Sequence, residues 1–237
     1  MKRIISLILL LLCFNTAIAE NTVISQVPFT TALLESSTAV DDGYFDDAVF
    51  IGDSLTLSIE SRNLFKNATF IASVGASIGN AIDKPIFPYN GKNEKLMDIL
   101  PKVNPKKIYI LMGTNTLSFA RSGDAVDFYA GLLDVIIKDY SDIPIYIVTI
   151  PTFRSHALKK IKQKHPDFSN KRIVDYNKRL VALAEERHCY VVDFSNALMA
   201  KKSIEPKGKF MAPDGIHLSL EGAELFKELL ATHTKGE

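Results

Sequence analysis

Two short blocks, far apart in the chain, hold the residues suited to covalent chemistry. In Gly52-Asp53-Ser54 a hydroxyl follows the apolar run Ala48-Val49-Phe50-Ile51. In Asp214-Gly215-Ile216-His217 a carboxylate and an imidazole stand three positions apart on a loop that follows Pro213. A serine hydroxyl becomes a useful nucleophile when a base takes its proton, and an imidazole serves as that base when a carboxylate fixes its tautomer. Ser54, His217 and Asp214 therefore supply the parts of a serine hydrolase. Each block alone has a plainer reading. Gly, Asp and Ser build ordinary turns, serine is a favoured helix N-cap, and Asp214-Gly215 suits a simple turn.

Two further blocks offer groups that stabilise developing negative charge. Asn115, in Gly113-Thr114-Asn115, carries an amide donor suited to an oxyanion hole. Gly75, in Ser73-Val74-Gly75-Ala76, offers a backbone N–H that substrate can approach because no Cβ stands in the way. Asp53 precedes the candidate nucleophile on its turn and reads as a turn-bracing residue rather than a second catalytic carboxylate.

These blocks need a scaffold that brings them together. Short apolar runs at Ala48–Ile51, Thr69–Ser73, Lys107–Met112, Ile143–Ile150 and Tyr190–Asp193 are continuous rather than alternating, as expected of strands buried on both faces of a parallel sheet. Amphipathic stretches lie between them. Residues 125–138 place Val126, Tyr129, Leu132, Leu133, Ile136 and Ile137 on one stripe, and residues 170–187 do the same with Ile173, Val174, Leu180, Val181 and Ala184. A last helix is expected from about Ser219, as N-cap, to about Thr232. Strand and helix in alternation predict an α/β fold, a three-layer α/β/α sandwich around a sheet of about five parallel strands. Ser54, Gly75 and Asn115 each follow one of the first three strands, and active sites of open α/β sheets gather at the carboxyl ends of strands.

The four blocks, in this order, make the chain resemble the SGNH (GDSL-type) hydrolase superfamily, named for a Ser, a Gly, an Asn and a His. Here these are Ser54, Gly75, Asn115 and His217, with Asp214 three residues before the histidine. The resemblance covers about Asp47 to the last helix. It implies a flavodoxin-like sheet, ester hydrolysis through an acyl-serine intermediate, an oxyanion hole formed by Ser54, Gly75 and Asn115, and neither metal nor other cofactor. The chain departs from the pattern after Asn115, where many members have Asp and this sequence has Thr116; the departure bears on how that loop is supported.

Bulk properties set the surroundings. Met1-Lys2-Arg3, an apolar stretch from Ile4 to Phe14 and Ala17-Ile18-Ala19 form the pattern of a secretory signal peptide over residues 1–19. The stretch is shorter than the roughly 20 residues a membrane span needs. Cys13 raises a lipoprotein alternative, which the bulky Leu12 before it disfavours. The expectation is an exported protein, periplasmic or secreted, with no stable membrane anchor after cleavage. An N-terminal arm over residues 20–44 would then lead into one hydrolase domain over residues 45–237. With Lys2 and Arg3 set apart, 26 basic side chains stand against 27 acidic, which gives no electrostatic footprint for nucleic acid. Cys189 is the one cysteine beyond the leader, so no internal disulfide is expected, and its apolar setting reads as a buried, inert thiol.

His156, His165 and His188 fit no compact metal-ligand spacing. Arg154 and His156 leave the fourth strand within a basic segment, Phe153 to Lys164, and are candidates for contact with a polar or anionic substrate; the alternative is a solvated face. The stretch Asn80 to Lys95 reads as a polar strand-end loop, with Asp83, Tyr89, Asn90, Lys92 and Asn93. That polarity and the export signal favour short acyl esters, O-acetyl groups of carbohydrate or cell-wall glycan foremost. A lipid or lysophospholipid esterase or a thioesterase would use the same triad, as would acyl transfer to a sugar. A non-catalytic binding protein on the same scaffold is the reading from another class.

Overall fold

The computed structural model describes residues 32–235; the signal-peptide pattern with its Cys13 lies outside them. A turn of 3-10 helix at Asp42–Phe45 leads into β1 (Ala48–Gly52), α1 (Ser54–Glu60), β2 (Thr69–Ala72) and α2 (Ile78–Asp83). A hairpin of β3 (Phe87–Tyr89) and β4 (Lys92–Glu94) follows, then α3 (Leu96–Val103), β5 (Lys107–Leu111), α4 (Thr114–Leu117) and α5 (Ser122–Tyr140). The rest is β6 (Ile145–Val148), α6 (Ser155–Ile161), α7 (Asn170–Glu186), β7 (Tyr190–Val192), α8 (Phe194–Leu198) and α9 (Leu220–Thr232).

Five of these strands form one parallel sheet in the order β2-β1-β5-β6-β7. Counting only its members, this is the flavodoxin-like 2-1-3-4-5, whose order reverses between β1 and β5. All residues of β1, β5 and β6 are buried, which is why their sequences run apolar without alternation. Helix α5 packs with α2 and α7, while α8 packs with α9.

A row of rings runs across the sheet, one from each strand. Phe50 stacks on Phe70 at 4.9 Å and on Tyr109 at 5.0 Å. Tyr109 stacks on Tyr146 at 4.4 Å, and Tyr190 tilts against Tyr146 at 5.6 Å. These are also the register partners, from Phe50↔Phe70 to Tyr146↔Tyr190. A slip of one residue would turn the whole row to the other face, so the rings pin the register. Phe65 and Phe226 close over Phe50 at 4.8 and 6.2 Å. The stretch of the sequence read as an N-terminal arm is in part built into this fold. Leu33 bridges to Val191 in parallel sense, and Ala32 is buried.

The segment expected as one polar loop, Asn80 to Lys95, differs. Asn80 to Asp83 complete α2, and Phe87 to Glu94 form the hairpin, closed by Asn90-Gly91 with both residues at positive φ. That is the turn chemistry of a tight hairpin. The two strands hold three residues each and one contains Pro88, so neither shows a strand pattern of its own.

Candidate active site

Ser54 begins α1, immediately beyond the carboxyl end of β1. Its hydroxyl does not cap that helix. The cap is Asp53, whose buried carboxylate accepts from the N–H of Leu55 at 2.9 Å. Ser54 Oγ is left to lie 3.0 Å from His217 Nε2. Gly52 is required sterically: a Cβ there would stand 1.8 Å from Thr56 Oγ1 and 2.8 Å from the carbonyl oxygen of Leu111.

His217 sits before α9 on a loop that Asp214 organises. One carboxylate oxygen accepts from the N–H groups of Ile216 and His217 at 2.8 and 3.0 Å. The other lies 2.6 Å from His217 Nδ1. Burial works to raise the Asp214 pKa, but the bonds from the imidazole and the two N–H groups outweigh it and hold the carboxyl below its usual range. An ionised carboxylate only accepts, so Nδ1 carries the proton and Nε2 presents its lone pair to the Ser54 hydroxyl. The arrangement can withdraw a proton from Ser54 and hold the resulting imidazolium.

Asn115 lies in α4, beyond the end of β5. Its Nδ2 donates to the carbonyl of Ala76 at 3.0 Å and to Asp53 Oδ2 at 3.3 Å. The amide is thus tied to the residue before Ser54 and to the residue after Gly75. Burial, opposed by the Leu55 N–H and by His217, pushes the Asp53 pKa up to about 6. Thr116 is fully buried and its hydroxyl accepts from the N–H of Ile78 at 3.0 Å. It fastens this block to the start of α2 and supplies the loop support where the sequence departs from the family pattern.

Gly75 stands exposed on the turn after β2, beside an open cleft. The structure therefore brings Ser54, His217 and Asp214 into one hydrogen-bonded line and sets Asn115, in α4, and Gly75, on the turn after β2, next to it. All lie where β1, β2 and β5 end, across the point at which the sheet order reverses.

Arg154 and His156 are engaged with the protein. The N–H of Arg154 donates to Gly215 O at 3.0 Å and its guanidinium to Pro206 O at 2.9 Å, with Glu205 3.6 Å away. His156 Nε2 lies 3.1 Å from the carbonyl of Pro213. Both brace the loop that carries Asp214 and His217. Gly215 adopts φ +73°, and a Cβ there would come within 2.8 Å of Arg154 Cβ and of the His156 ring. A side chain at 215 would wedge the brace open.

Two positions invisible as site residues hold Arg154 in place. Asn170 exchanges hydrogen bonds with the backbone of Phe153 at 2.8 and 2.7 Å, and Asn177 does so with Ile150 at 3.1 and 2.9 Å. Both are buried on the face of α7 that otherwise carries Ile173 and Leu180. A carboxamide recurring in an apolar stripe was the signal for them. Cys189 is buried, and burial pushes its thiol up to about 12. Among the described residues no three His, Cys, Asp or Glu side chains gather as a metal site, and no helix is long and apolar enough to cross a membrane.

The sequence profile of the family described as GDSL-like Lipase/Acylhydrolase matches residues 50–225. No curated protein matches the chain. Among solved structures, a GDSL-like lipase from Bacteroides thetaiotaomicron superimposes with a TM-score of 0.58 at 13% identity, covering 78% of this chain and 85% of its own. A lipase/acylhydrolase from Enterococcus faecalis gives 0.51 at 17% identity, covering 77% and 92%. At such identities the likeness is one of fold.

Proposed function

Because the chain belongs to the GDSL-like lipase/acylhydrolase family, we propose that it cleaves short acyl esters, O-acetyl groups of carbohydrate foremost, with Ser54 as nucleophile. The observation that carries this reading is the line from Asp214 through His217 to Ser54, with contacts of 2.6 and 3.0 Å. His217 takes the Ser54 proton as Oγ attacks the ester carbonyl, and Asp214 stabilises the imidazolium. The oxyanion is received by the N–H groups of Ser54 and Gly75 and by Asn115 Nδ2. His217 then protonates the leaving alcohol, and water, activated by the same imidazole, attacks the acyl-serine carbonyl and frees the acid.

Support for a polar alcohol comes from the lining beside Gly75, where Ser73, Asn80 and Asn93 stand. The leader pattern in residues 1–19 favours a substrate met outside the cytoplasm. One observation favours the second reading, a lipid ester: Val74, next to Gly75, is 78% exposed and offers an apolar contact to a longer acyl chain.

The test is a series of p-nitrophenyl esters from acetate to palmitate, run beside acetylated xylan and acetylated peptidoglycan. The expected result is a steep fall of kcat/KM beyond butyrate and release of acetate from at least one glycan. A maximum at eight or more acyl carbons would transfer the assignment to lipid esters. A fluorophosphonate should label the protein and fail to label Ser54→Ala; labelling that survives the substitution would remove Ser54 from the role.

A further inference from the structure

Beside the Gly75 turn the surface opens into a cleft of about 320 Å³, lined among others by Ser73, Gly75, Asn80, Ile86 and Asn93. Sites for small ligands start at about this volume. Ala76 is also in the wall, and its carbonyl holds the Asn115 amide. The cleft therefore borders one proposed oxyanion donor, Gly75, directly and a second, Asn115, through the Ala76 carbonyl.

The chemistry of the lining tells which half of an ester suits it. Asn80 is on α2 and half-buried, and Asn93 is on β4. Neither side-chain amide hydrogen-bonds to any described residue. Asn93 owes its direction to its neighbour. Successive residues of a strand point to opposite faces, and Glu94 is turned inward, paired with Lys102 and at 3.3 Å with Lys92. Phe87, fully buried opposite Glu94, anchors the other strand of the hairpin, and the Lys102 ammonium lies 5.4 Å from the centre of the Tyr89 ring. Asn93 is thus presented on a backbone already fixed, so little ordering is needed when a ligand arrives.

Two uncharged carboxamides, each able to donate and to accept, share the lining with two aliphatic side chains, Val74 and Ile86. Hydroxyl groups on a ring match that pattern: they donate and accept in turn, while the ring's C–H face packs on Ile86. No lysine or arginine lines the cleft to neutralise a phosphate or carboxylate. A hydrocarbon chain would strip water from both amides and return no hydrogen bond. The geometry points to this cleft as the subsite for the alcohol half of the substrate, a sugar ring gripped by Asn80 and Asn93 while Ser54 attacks the acyl group that the ring carries. This rests on the reading of Ser54 as nucleophile and adds the residues that select the alcohol.

The experiment compares kcat/KM for an acetylated xylo-oligosaccharide with that for p-nitrophenyl acetate, whose leaving group has no ring hydroxyls. It uses the wild type, Asn80→Ala, Asn93→Ala and the double variant, each confirmed as folded by fluorophosphonate labelling. The ratio should fall about threefold to tenfold in each single variant, the loss expected of one net hydrogen bond, and by about tenfold or more in the double. A ratio within twofold of wild type in the double variant overturns the subsite and leaves the hydrolase reading standing. Loss of activity on lysophosphatidylcholine with the sugar-ester ratio intact would overturn it in favour of a lipid headgroup. A wild-type protein that cleaves p-nitrophenyl acetate but no acetylated sugar overturns the substrate reading itself, and the subsite with it.

Discussion

His156 donates from Nε2 to the carbonyl of Pro213 at 3.1 Å, one residue ahead of Asp214. A carbonyl only accepts, so that nitrogen carries a proton. With Arg154 N–H on Gly215 O, the imidazole forms a strut beneath the loop that aims His217. His156, read from the sequence as a candidate for substrate contact, is bonded here to the loop that carries Asp214.

His156→Ala should therefore lower kcat about tenfold with little change in KM, because misaiming a base harms the reacting geometry more than binding. His156→Gln, which keeps a donor, should recover most of the loss. A raised KM with kcat intact would return His156 to the substrate rim. Gly215→Ala should harm kcat more than His156→Ala does, since it adds a strained φ to the collision with the same ring.

Asn115→Ala should reduce kcat about a hundredfold, the usual scale for one oxyanion donor, with a smaller effect on KM. Steady-state kinetics on p-nitrophenyl acetate decides. An effect confined to KM would make Asn115 a binding residue.

Asp53 gives a pH signature in stability rather than in rate. Its pKa is raised by burial from 3.8 to about 6 in the folded protein. Between those values the folded state binds more protons than the unfolded state, so stability falls as pH rises through the window and is flat above it. Asp53→Asn cannot titrate. Denaturation midpoints measured from pH 4 to 7 should show the variant gaining on wild type by on the order of 2 kcal/mol across that range. Parallel curves would mean that the carboxylate is not strained by burial. Asp214 acts in the opposite sense: its lowered pKa stabilises above the unfolded value and the contribution is lost as pH falls.

Phe50→Ala should cost about 3–5 kcal/mol, because it opens the ring row at the sheet's centre. Urea unfolding measures it. A loss below 1 kcal/mol would show that the rings do not set the register.

Much of this was legible in the residues. Runs such as Lys107–Met112 and Tyr190–Asp193 gave the strands because burial on both faces leaves a continuous apolar signature. Ser54, His217 and Asp214, which the fold brings into one hydrogen-bonded line, stand out in the sequence because their chemistry is specific and each follows a strand or precedes a helix. The hairpin was missed although Asn90-Gly91 is a strong turn signal, since three-residue strands with Pro88 carry no periodicity. The bonds that Arg154 and His156 make within the protein have no signature in the sequence. A basic run looks the same whether it faces water or grips a neighbouring carbonyl, and only the folded loop supplies Gly215 and Pro213 as partners. Asp53 reads as a turn brace and caps α1 as one, while its contact with the Asn115 amide, sixty-two positions away in sequence, has no local signal.

The bridge between Leu33 and Val191 has a meaning beyond anchoring the early chain. β7 is an outermost strand of the sheet, and Leu34 N–H and Ala32 O occupy the outward-facing carbonyl and N–H of Val191 at 3.0 and 2.7 Å. An open edge of this kind is a template for pairing with another molecule. Residues 32–34 cover that edge, so their deletion should surface as loss of solubility while the Ser54 site, on the far side of β5 and β6, stays assembled in whatever remains dispersed.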